Sequence, residues 1–243
     1  MPLSPSKSRR AAGTLYGLGV GPGDPELVTL KALRILQSVP VVAYPAPDRG
    51  LSFARTIVAS RLSPAHAEIE IRVPMKAAPA PAQAVYDRAA RSIARHLDAG
   101  RDVAVLCQGD PFFYGSFIQI FERLSARYPV RIVPGVSSLT ACAAAAQRPL
   151  SVRNEALAVI PAPLAEAELK KRLSAGDAAA IVKLGRHFAK VRRVLERLGR
   201  ARRAVYIEHA SLASERVLAL DAVDPAQAPY FSMILLPRAR RRR

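Results

Sequence analysis

The chain has no tryptophan, and only 6% of its 243 residues are aromatic. Proteins that bind single-stranded nucleic acids use aromatic platforms on which bases stack, so this composition argues against that function. Cysteine is also scarce: Cys107 and Cys142 lie far apart, each within an apolar run. They form no C-x-x-C pair and no cluster with the four scattered histidines, which predicts buried thiols and no metal site.

Long apolar runs are missing too. No stretch of about 20 uncharged apolar residues occurs, so the sequence predicts no membrane-spanning helix. The N-terminus is basic but lacks the apolar core and cleavage site of a signal peptide. Together with the low cysteine content, these absences predict a protein of the reducing cytoplasm.

Acidic residues are few: 37 Lys and Arg residues face 19 Asp and Glu residues, for a net charge of +18. Eight of the positive charges lie in a predicted disordered leader (1–12) and a basic tail (238–243), which leaves about +10 for the folded body. This positive charge could lie on solvated faces, bind a polyanionic small molecule or bind nucleic acid. A basic tail on an ordinary enzyme is the interpretation we favour, so we expect no specific nucleic-acid partner.

Half of the residues are hydrophobic, which is enough for a sizeable core. Up to residue 148, apolar strands alternate with helical patterns, and this predicts a parallel sheet with helices on both faces. Residues 149–237 are predicted to form a second, mixed α/β domain. Its last two strands, 216–220 and 231–236, have no helix between them and are expected to pair antiparallel. Helices in the first half are expected over 25–37, 52–62, 83–99 and 113–127, with a Pro/Ala linker over 77–82.

Three predicted strands end in turns rich in glycine or small residues: Gly17–Asp24, Gln108–Pro111 and Val133–Thr140. In open α/β sheets, ligands bind beyond the carboxyl ends of the strands, so these turns are expected to line one crevice. The first turn has neither the G-x-G-x-x-G spacing nor the lysine of a P-loop. Its prolines, Pro22 and Pro25, remove N–H donors that a phosphate would need.

A ligand that packs against bare backbone and is not strongly anionic suits the first turn, and S-adenosylmethionine is such a ligand. A tight strand–helix turn without a ligand is the alternative. In the second turn, Asp110 either accepts hydrogen bonds from an ammonium or ribose group or caps the next helix. Ser137 either caps a helix or, with Ser138, offers hydroxyls to the crevice. Phe113 and Tyr114 either wall an apolar pocket or belong to the core.

These motifs resemble those of the tetrapyrrole (class III) methyltransferases, and within that family those of the enzymes that methylate C-20 of precorrin-2. The resemblance runs from about Gly13 to Pro237. The segments that carry it are Gly19-Val-Gly-Pro-Gly-Asp24, Val42-Ala-Tyr-Pro-Ala46, Gly109-Asp-Pro-Phe-Phe-Tyr-Gly-Ser116, Val133-Pro-Gly-Val-Ser-Ser-Leu-Thr-Ala-Cys142, Lys183-Leu-Gly-Arg-His187 and Pro229-Tyr-Phe-Ser-Met-Ile-Leu235.

The resemblance implies two α/β domains, 13–148 with a mostly parallel sheet and 149–237 with a mixed sheet, and a ligand cleft between them. It also implies a homodimer, S-adenosylmethionine as methyl donor, a tetrapyrrole substrate and no metal. Substrate contacts are hypothesised for Tyr114, Arg186 and His187, although the last two could instead cap a helix. The positions that match cofactor contacts of the family are Pro22, Gly109, Asp110, Phe113, Ser137, Ser138, Lys183 and Ala210.

Four residues depart from the family pattern: Pro45, Gln108, Ala162 and His209. Pro45 stands where related uroporphyrinogen methyltransferases carry an Asp, so no general base transfers to this chain and the catalytic residue is left unassigned. The alternatives are a sibling enzyme that methylates another corrin carbon, an enzyme for the cobalt-loaded substrate, and a homologue that binds ligand without turnover.

Overall fold

The computed structural model describes residues 11–74 and 79–238, which divide into two compact units. The first unit ends at Ser137 and the second begins at Ser138. The predicted leader lies almost wholly outside the described residues, as do part of the predicted linker and residues 239–243 of the predicted tail. Among the described residues, no helix is both long and apolar enough to cross a membrane.

The sheet of the first unit is parallel throughout, with strand order β3-β2-β4-β1-β5. Strands covered on both faces read as continuous apolar runs, and β4 is buried at every residue. The predicted parallel sheet is therefore confirmed. Its strands are β1 Leu15–Gly19, β2 Val41–Pro47, β3 Ala67–Val73, β4 Val103–Cys107 and β5 Val130–Val133.

Helices cover both faces of this sheet, as expected. α1 (Leu30–Ser38) and α2 (Phe53–Ile57) bury their apolar residues on one face, and α3 (Pro79–Asp98) and α4 (Phe117–Leu124) on the other. Both faces therefore contribute to the core of this unit.

Three of these helices are shorter than predicted. The predicted helix 25–37 is split: Pro25–Leu27 forms one 3-10 turn capped by Asp24, and α1 starts afresh after Thr29. The Asp24 carboxylate accepts from the amide of Glu26 at 2.8 Å, and the Thr29 hydroxyl accepts from the amide of Ala32 at 3.2 Å. Each cap begins a separate helical segment. The helix predicted over 52–62 ends at Ile57, and that predicted over 113–127 begins only at Phe117.

The second unit contains a mixed sheet in the order β6-β7-β10-β8-β9. β6 is parallel to β7, whereas β10 lies antiparallel between β7 and β8. The expected pairing of the last two strands is therefore wrong. β10 is buried at every residue and takes a central position, while β9 is mostly exposed and forms the edge beside β8. The strands are β6 Leu157–Pro161, β7 Ala178–Val182, β8 Val205–Glu208, β9 Arg216–Ala219 and β10 Ser232–Leu236.

Helix α5 (Ser138–Ala145) belongs to the second unit, although the sequence placed the domain boundary after residue 148. Its buried residues Ala141 and Cys142 pack in one cluster with β-strand residues of the second sheet such as Ile207. A small apolar helix belongs to the unit whose sheet buries it, and its own sequence does not indicate which sheet that is. On the opposite face, α6 (Glu166–Ser174) and α7 (Phe188–Arg197) cover the sheet.

Candidate functional site

Three turns meet at the carboxyl edge of the first sheet, as the sequence predicts. The amide of Gly109 donates to the carbonyl of Gly21 at 2.7 Å, and the amide of Val20 donates to the carbonyl of Cys107 at 2.9 Å. These bonds join the turn after β1 to the turn after β4. The turn after β5 joins them at Gly135, next to Gly19 and Gly109.

The three turns touch through bare main chain. A Cβ atom on Gly19 would lie 2.5 Å from the Gly135 nitrogen, and one on Gly135 would overlap the carbonyl oxygen of Gly109. Gly21 has φ of +79°, a conformation that side chains disfavour. Only glycine permits so close an approach at positions 19 and 135, and the positive φ at position 21 favours glycine there.

Asp110 ties two of the turns together. Its carboxylate accepts from the amide of Phe112 at 2.9 Å and from the amide of Gly135 at 3.1 Å. The first bond closes a local turn and does not cap the next helix, because α4 begins only at Phe117 with Ser116 at its N-cap, so the capping alternative for Asp110 is wrong. A carboxylate has about four acceptor positions, so Asp110 retains capacity to accept hydrogen bonds from a ligand.

Gln108, which stands where close relatives are expected to carry Glu, has its side-chain amide 3.4 Å from the carbonyl of Pro22. An ionised carboxylate has no proton to donate to that carbonyl. The amide of Gln108 can therefore donate to the Pro22 carbonyl where a glutamate could not, and having Gln108 in place of Glu does not disturb the glycine turns. Pro22 itself is buried, as is Gly109.

The aromatic residues after the second turn are not core residues. Tyr114 is 47% exposed, and its ring packs edge-on against that of Phe113, with 5.1 Å between the ring centroids. Tyr114 also has φ of +58°. A bulky side chain in the left-handed region is uncommon, and such residues concentrate at functional sites. Phe112, 48% exposed, packs instead onto Phe121 of α4 at 5.1 Å.

The carboxyl ends of β6, β7 and β8 share one edge of the second sheet, because β10 is antiparallel to both β7 and β8 and β6 is parallel to β7. Lys183 follows β7 and His209 follows β8, and both have left-handed φ, of +56° and +53°. Ala210 comes next and is buried. Two left-handed non-glycine residues, one at the carboxyl end of each strand that flanks β10, mark this edge as a candidate site.

The turn after β7 also contains Arg186 and His187. Arg186 is exposed, and His187 is partly buried. The side chain of His187 makes no capping bond to α7, so the alternative role proposed for it is absent. Burial, with the nearby charges of Lys190 and Arg186, lowers the pKa of His187 and favours its neutral form.

The structure thus divides the predicted site residues between the units. Pro22, Gly109, Asp110, Phe113, Tyr114 and Ser137 belong to the first unit. Ser138, Lys183, Arg186, His187 and Ala210 belong to the second.

Glu208, a buried acidic residue at the end of β8, was not predicted from the sequence as a site residue. Glu208 is 7% exposed and accepts from the Tyr206 hydroxyl at 2.6 Å and from Arg216 at 3.0 Å. Burial, followed by the bond to Glu208, raises the pKa of Tyr206, so the phenol stays protonated and donates. A charged residue two positions after a tyrosine in an apolar strand shares its face, and this spacing is the signal that could have revealed the pair.

A second polar cluster lies on β2 and β3 of the first unit. The hydroxyl of Tyr44 donates to Glu68 at 2.5 Å, and Arg55 of α2 binds the same carboxylate through Nε at 2.6 Å and Nη2 at 2.9 Å. Burial and the Glu68 contact raise the pKa of Tyr44 to about 12. The tyrosine of the predicted Val42–Ala46 motif is therefore engaged within the fold.

The two thiols are buried, as predicted, and burial raises the pKa of both Cys107 and Cys142 to about 12. They are protonated at neutral pH and poor nucleophiles. Within the described parts of the chain, no group of three or more His, Cys, Asp or Glu residues is placed to hold a metal ion.

Comparison with known proteins shows which family the chain belongs to. The family model described as Tetrapyrrole (Corrin/Porphyrin) Methylases matches residues 14–224. The cobalamin biosynthesis protein CobIJ of Mycobacterium tuberculosis is 44% identical over 240 residues, which cover 96% of this chain and 47% of that protein. The chain therefore spans about half the length of this relative.

Two further proteins match the chain nearly end to end. A precorrin-2 C(20)-methyltransferase of Sinorhizobium sp is 39% identical, and the alignment covers 93% of this chain and 95% of that protein. The solved structure of uroporphyrin-III C-methyl transferase from Thermus thermophilus, complexed with S-adenyl homocysteine, has a TM-score of 0.65 and 27% identity. That alignment covers 93% of this chain and 92% of the solved chain.

Proposed function

Because the chain belongs to the tetrapyrrole (corrin/porphyrin) methylases, we propose that it methylates C-20 of precorrin-2 to give precorrin-3A. The methyltransferases of this family use S-adenosylmethionine as methyl donor. The observation that carries the C-20 assignment is the similarity to a precorrin-2 C(20)-methyltransferase along nearly the whole of both chains.

The first edge fits an adenosyl sulfonium ligand better than a phosphate. Its glycines present bare backbone, and Pro22 has no N–H for an anion. Asp110 retains acceptor capacity for an ammonium group or ribose hydroxyls. The residues that would hold the donor are Pro22, Gly109, Asp110, Phe113, Ser137, Ser138, Lys183 and Ala210.

When bound, the donor supplies a methyl group attached to a positively charged sulfur. The electron-rich carbon C-20 of the substrate is the nucleophile, so no protein base has to act before transfer. The task of the chain is to align the two carbons and exclude water, which is worth roughly 7–11 kcal/mol of the barrier. A rigid edge in which backbone touches backbone is suited to that task.

The excess of basic residues serves the substrate. Precorrin-2 carries eight carboxylates, and the body of the chain has an excess of about ten positive charges. Arg186 is exposed at the carboxyl edge of the second sheet and can bind a carboxylate by charge-assisted hydrogen bonds. We assign Tyr114, Arg186 and His187 to the substrate.

Mass spectrometry after incubation with S-adenosylmethionine and precorrin-2 tests the proposal. The expected product has one methyl group in place of one hydrogen, and a 13C-labelled methyl group should appear at C-20 by NMR. A label at another carbon would identify a sibling enzyme, and no added methyl would refute the proposed function. A parallel reaction with cobalt-loaded substrate shows which form is preferred.

The resemblance also predicts a homodimer. Light scattering after size-exclusion chromatography should give twice the 26.2 kDa mass of one chain.

A further inference from the structure

We propose that His209 accepts the proton that leaves C-20 after the methyl group has been transferred. The inference rests on the proposed function and deepens it, because it assigns the proton acceptor of that reaction to a residue of this chain.

The reaction replaces a hydrogen by a methyl group, so a proton has to leave. The new bond to the methyl carbon forms with an electron pair of the ring, while the carbon–sulfur bond breaks and its pair stays on sulfur. The C-20–hydrogen bond then breaks, and its electron pair restores the conjugation of the ring. The proton needs a basic acceptor, and Nε2 of a neutral imidazole is suited to that role.

The partly or fully buried carboxylates at the carboxyl ends of β1, β4 and β8 already have partners. Asp24 caps the Pro25–Leu27 turn, and Asp110 accepts two backbone amides and has its remaining acceptor capacity assigned to the methyl donor. Glu208 accepts from the Tyr206 hydroxyl at one carboxylate oxygen and from Arg216 at the other. Asp48, which follows β2, is exposed to water. None of these groups is a strong candidate for the acceptor.

The other histidines are also poorly placed. His66 directly precedes β3, and His96 lies in the last turn of α3 before β4, so both are at amino ends of strands. His187 is at a carboxyl edge, but burial, followed by the positive charges of Lys190 and Arg186, lowers its pKa. His209, by contrast, directly follows the last residue of β8 at the carboxyl edge of the second sheet.

The imidazole of His209 is held in place by its own loop. The backbone amide of His209 donates to the carbonyl of Phe231 at 2.9 Å, and its carbonyl accepts from Leu212 at 2.9 Å. Nδ1 lies 3.1 Å from the hydroxyl oxygen of Ser214. When Nδ1 carries the proton and donates to Ser214, Nε2 presents a lone pair as acceptor.

The backbone of His209 supports the same assignment. Its φ of +53° is sparsely populated by residues with a side chain, and it persists because bonds on both sides of the residue hold it. His209 directly precedes Ala210, one of the proposed donor contacts. The acceptor atom is therefore fixed at the edge where the proposed function places ligands.

The test replaces His209 by Asn and by Gly, both of which tolerate left-handed φ, so that loss of the base is separated from backbone strain. With each variant we expect turnover to fall by about 100-fold. Deuterium at C-20 should slow the variants more than the wild type, because C–H cleavage becomes rate-limiting. Added imidazole should restore part of the activity of His209→Gly, since a free base can enter the space.

Affinity for S-adenosylhomocysteine, measured by calorimetry on the protein without donor, should be unchanged in both variants. His66→Asn is the matched control and should turn over like the wild type, because His66 lies at the opposite end of a strand. Wild-type turnover by His209→Asn with no added isotope effect would overturn the proposal. If the wild type itself leaves precorrin-2 unmethylated, the proposed function fails and this inference falls with it.

Discussion

The carboxyl edge of the first sheet is built from main chain, whereas that of the second sheet is built from side chains. At the first edge, Gly19, Gly109 and Gly135 let three turns touch. At the second edge, Lys183 and His209 take left-handed conformations without being glycine, and buried Glu208 is held by two side chains. Contact between backbones tolerates no added atom, while a polar cluster weakens by degrees as its members are changed.

The largest effect is expected from adding one carbon to the first edge. In Gly135→Ala, the new Cβ overlaps the carbonyl oxygen of Gly109 and the main chain of Gly19, and neither can move without breaking the edge. We expect the free energy of unfolding in urea to fall by about 3 kcal/mol or more, or folding to fail. Gly50→Ala is the control for the strain of a positive φ: Gly50 has φ of +97° and meets no atom within 4 Å, so its substitution should cost only about 1 kcal/mol. A loss in Gly135→Ala no larger than that in Gly50→Ala would show that contact between backbones does not set the glycine requirement at position 135.

A buried arginine shows how far the second unit depends on side chains. Arg200 is 8% exposed and donates to the carbonyls of Leu173 at 2.7 Å, Asp177 at 2.8 Å and Pro237 at 3.1 Å. Arg200→Met removes these donors and should cost about 2–3 kcal/mol in urea unfolding. Arg200→Lys should recover less than half of that loss, because an ammonium lacks the planar fork. Full recovery by lysine would mean that charge alone matters there.

The same contrast explains what could be predicted from the sequence. Glycine spacing and strand–helix alternation are local signals, so the parallel sheet and the meeting of its three turns were predictable. The position of β10 between β7 and β8 depends on which strands bury its Ser232–Leu236 run. The place of α5 in the second unit depends in the same way on the sheet that covers Ala141. Both are choices between distant partners, and no local pattern encodes them.

The candidate site divides in the same way. Asp110 stood out because it follows a strand within a glycine turn. Glu208 did not, because its role requires Tyr206 on its own strand and Arg216 from the next strand to converge on it. His209 was noted only as a departure from a family pattern, and its fixed orientation depends on Ser214 and Phe231, which fold next to it.

Glu208 should give a graded response. Glu208→Ala leaves the buried hydroxyl of Tyr206 without its acceptor, so we expect a loss of about 2 kcal/mol in urea unfolding. Glu208→Gln should cost about 1 kcal/mol, because the amide oxygen still accepts from Tyr206. If glutamine is as harmful as alanine, the ion pair with exposed Arg216 dominates instead.

Arg186→Ala tests a side chain whose proposed role is binding rather than stability. We expect the KM for precorrin-2 to rise about tenfold, equivalent to about 1.4 kcal/mol, with affinity for S-adenosylhomocysteine unchanged. Lys170→Ala removes one exposed charge from α6 and is the control for net charge. An unchanged KM in Arg186→Ala would remove Arg186 from the substrate site.

The smallest effect is expected at the polar cluster of Tyr44, Arg55 and Glu68 in the first unit, where side chains rather than glycines make the contacts. The bonds from Arg55, which outweigh burial, and the bond from Tyr44 lower the pKa of Glu68 from 4.5 to about 2. Because this pKa is depressed in the folded state, the stabilisation is complete above pH 4.5 and is lost as the pH falls toward 2. The pair is partly exposed, with the Arg55 side chain at 39% and the Glu68 side chain at 28%, so solvent screening limits its contribution to stability to about 1 kcal/mol.

The difference in unfolding free energy between wild type and Glu68→Gln should therefore be about 1 kcal/mol at pH 7 and should shrink steadily below pH 4.5. A difference that stays constant down to pH 2.5 would show that shape, not charge, holds β2 against β3, and the first unit would then depend on steric fit alone.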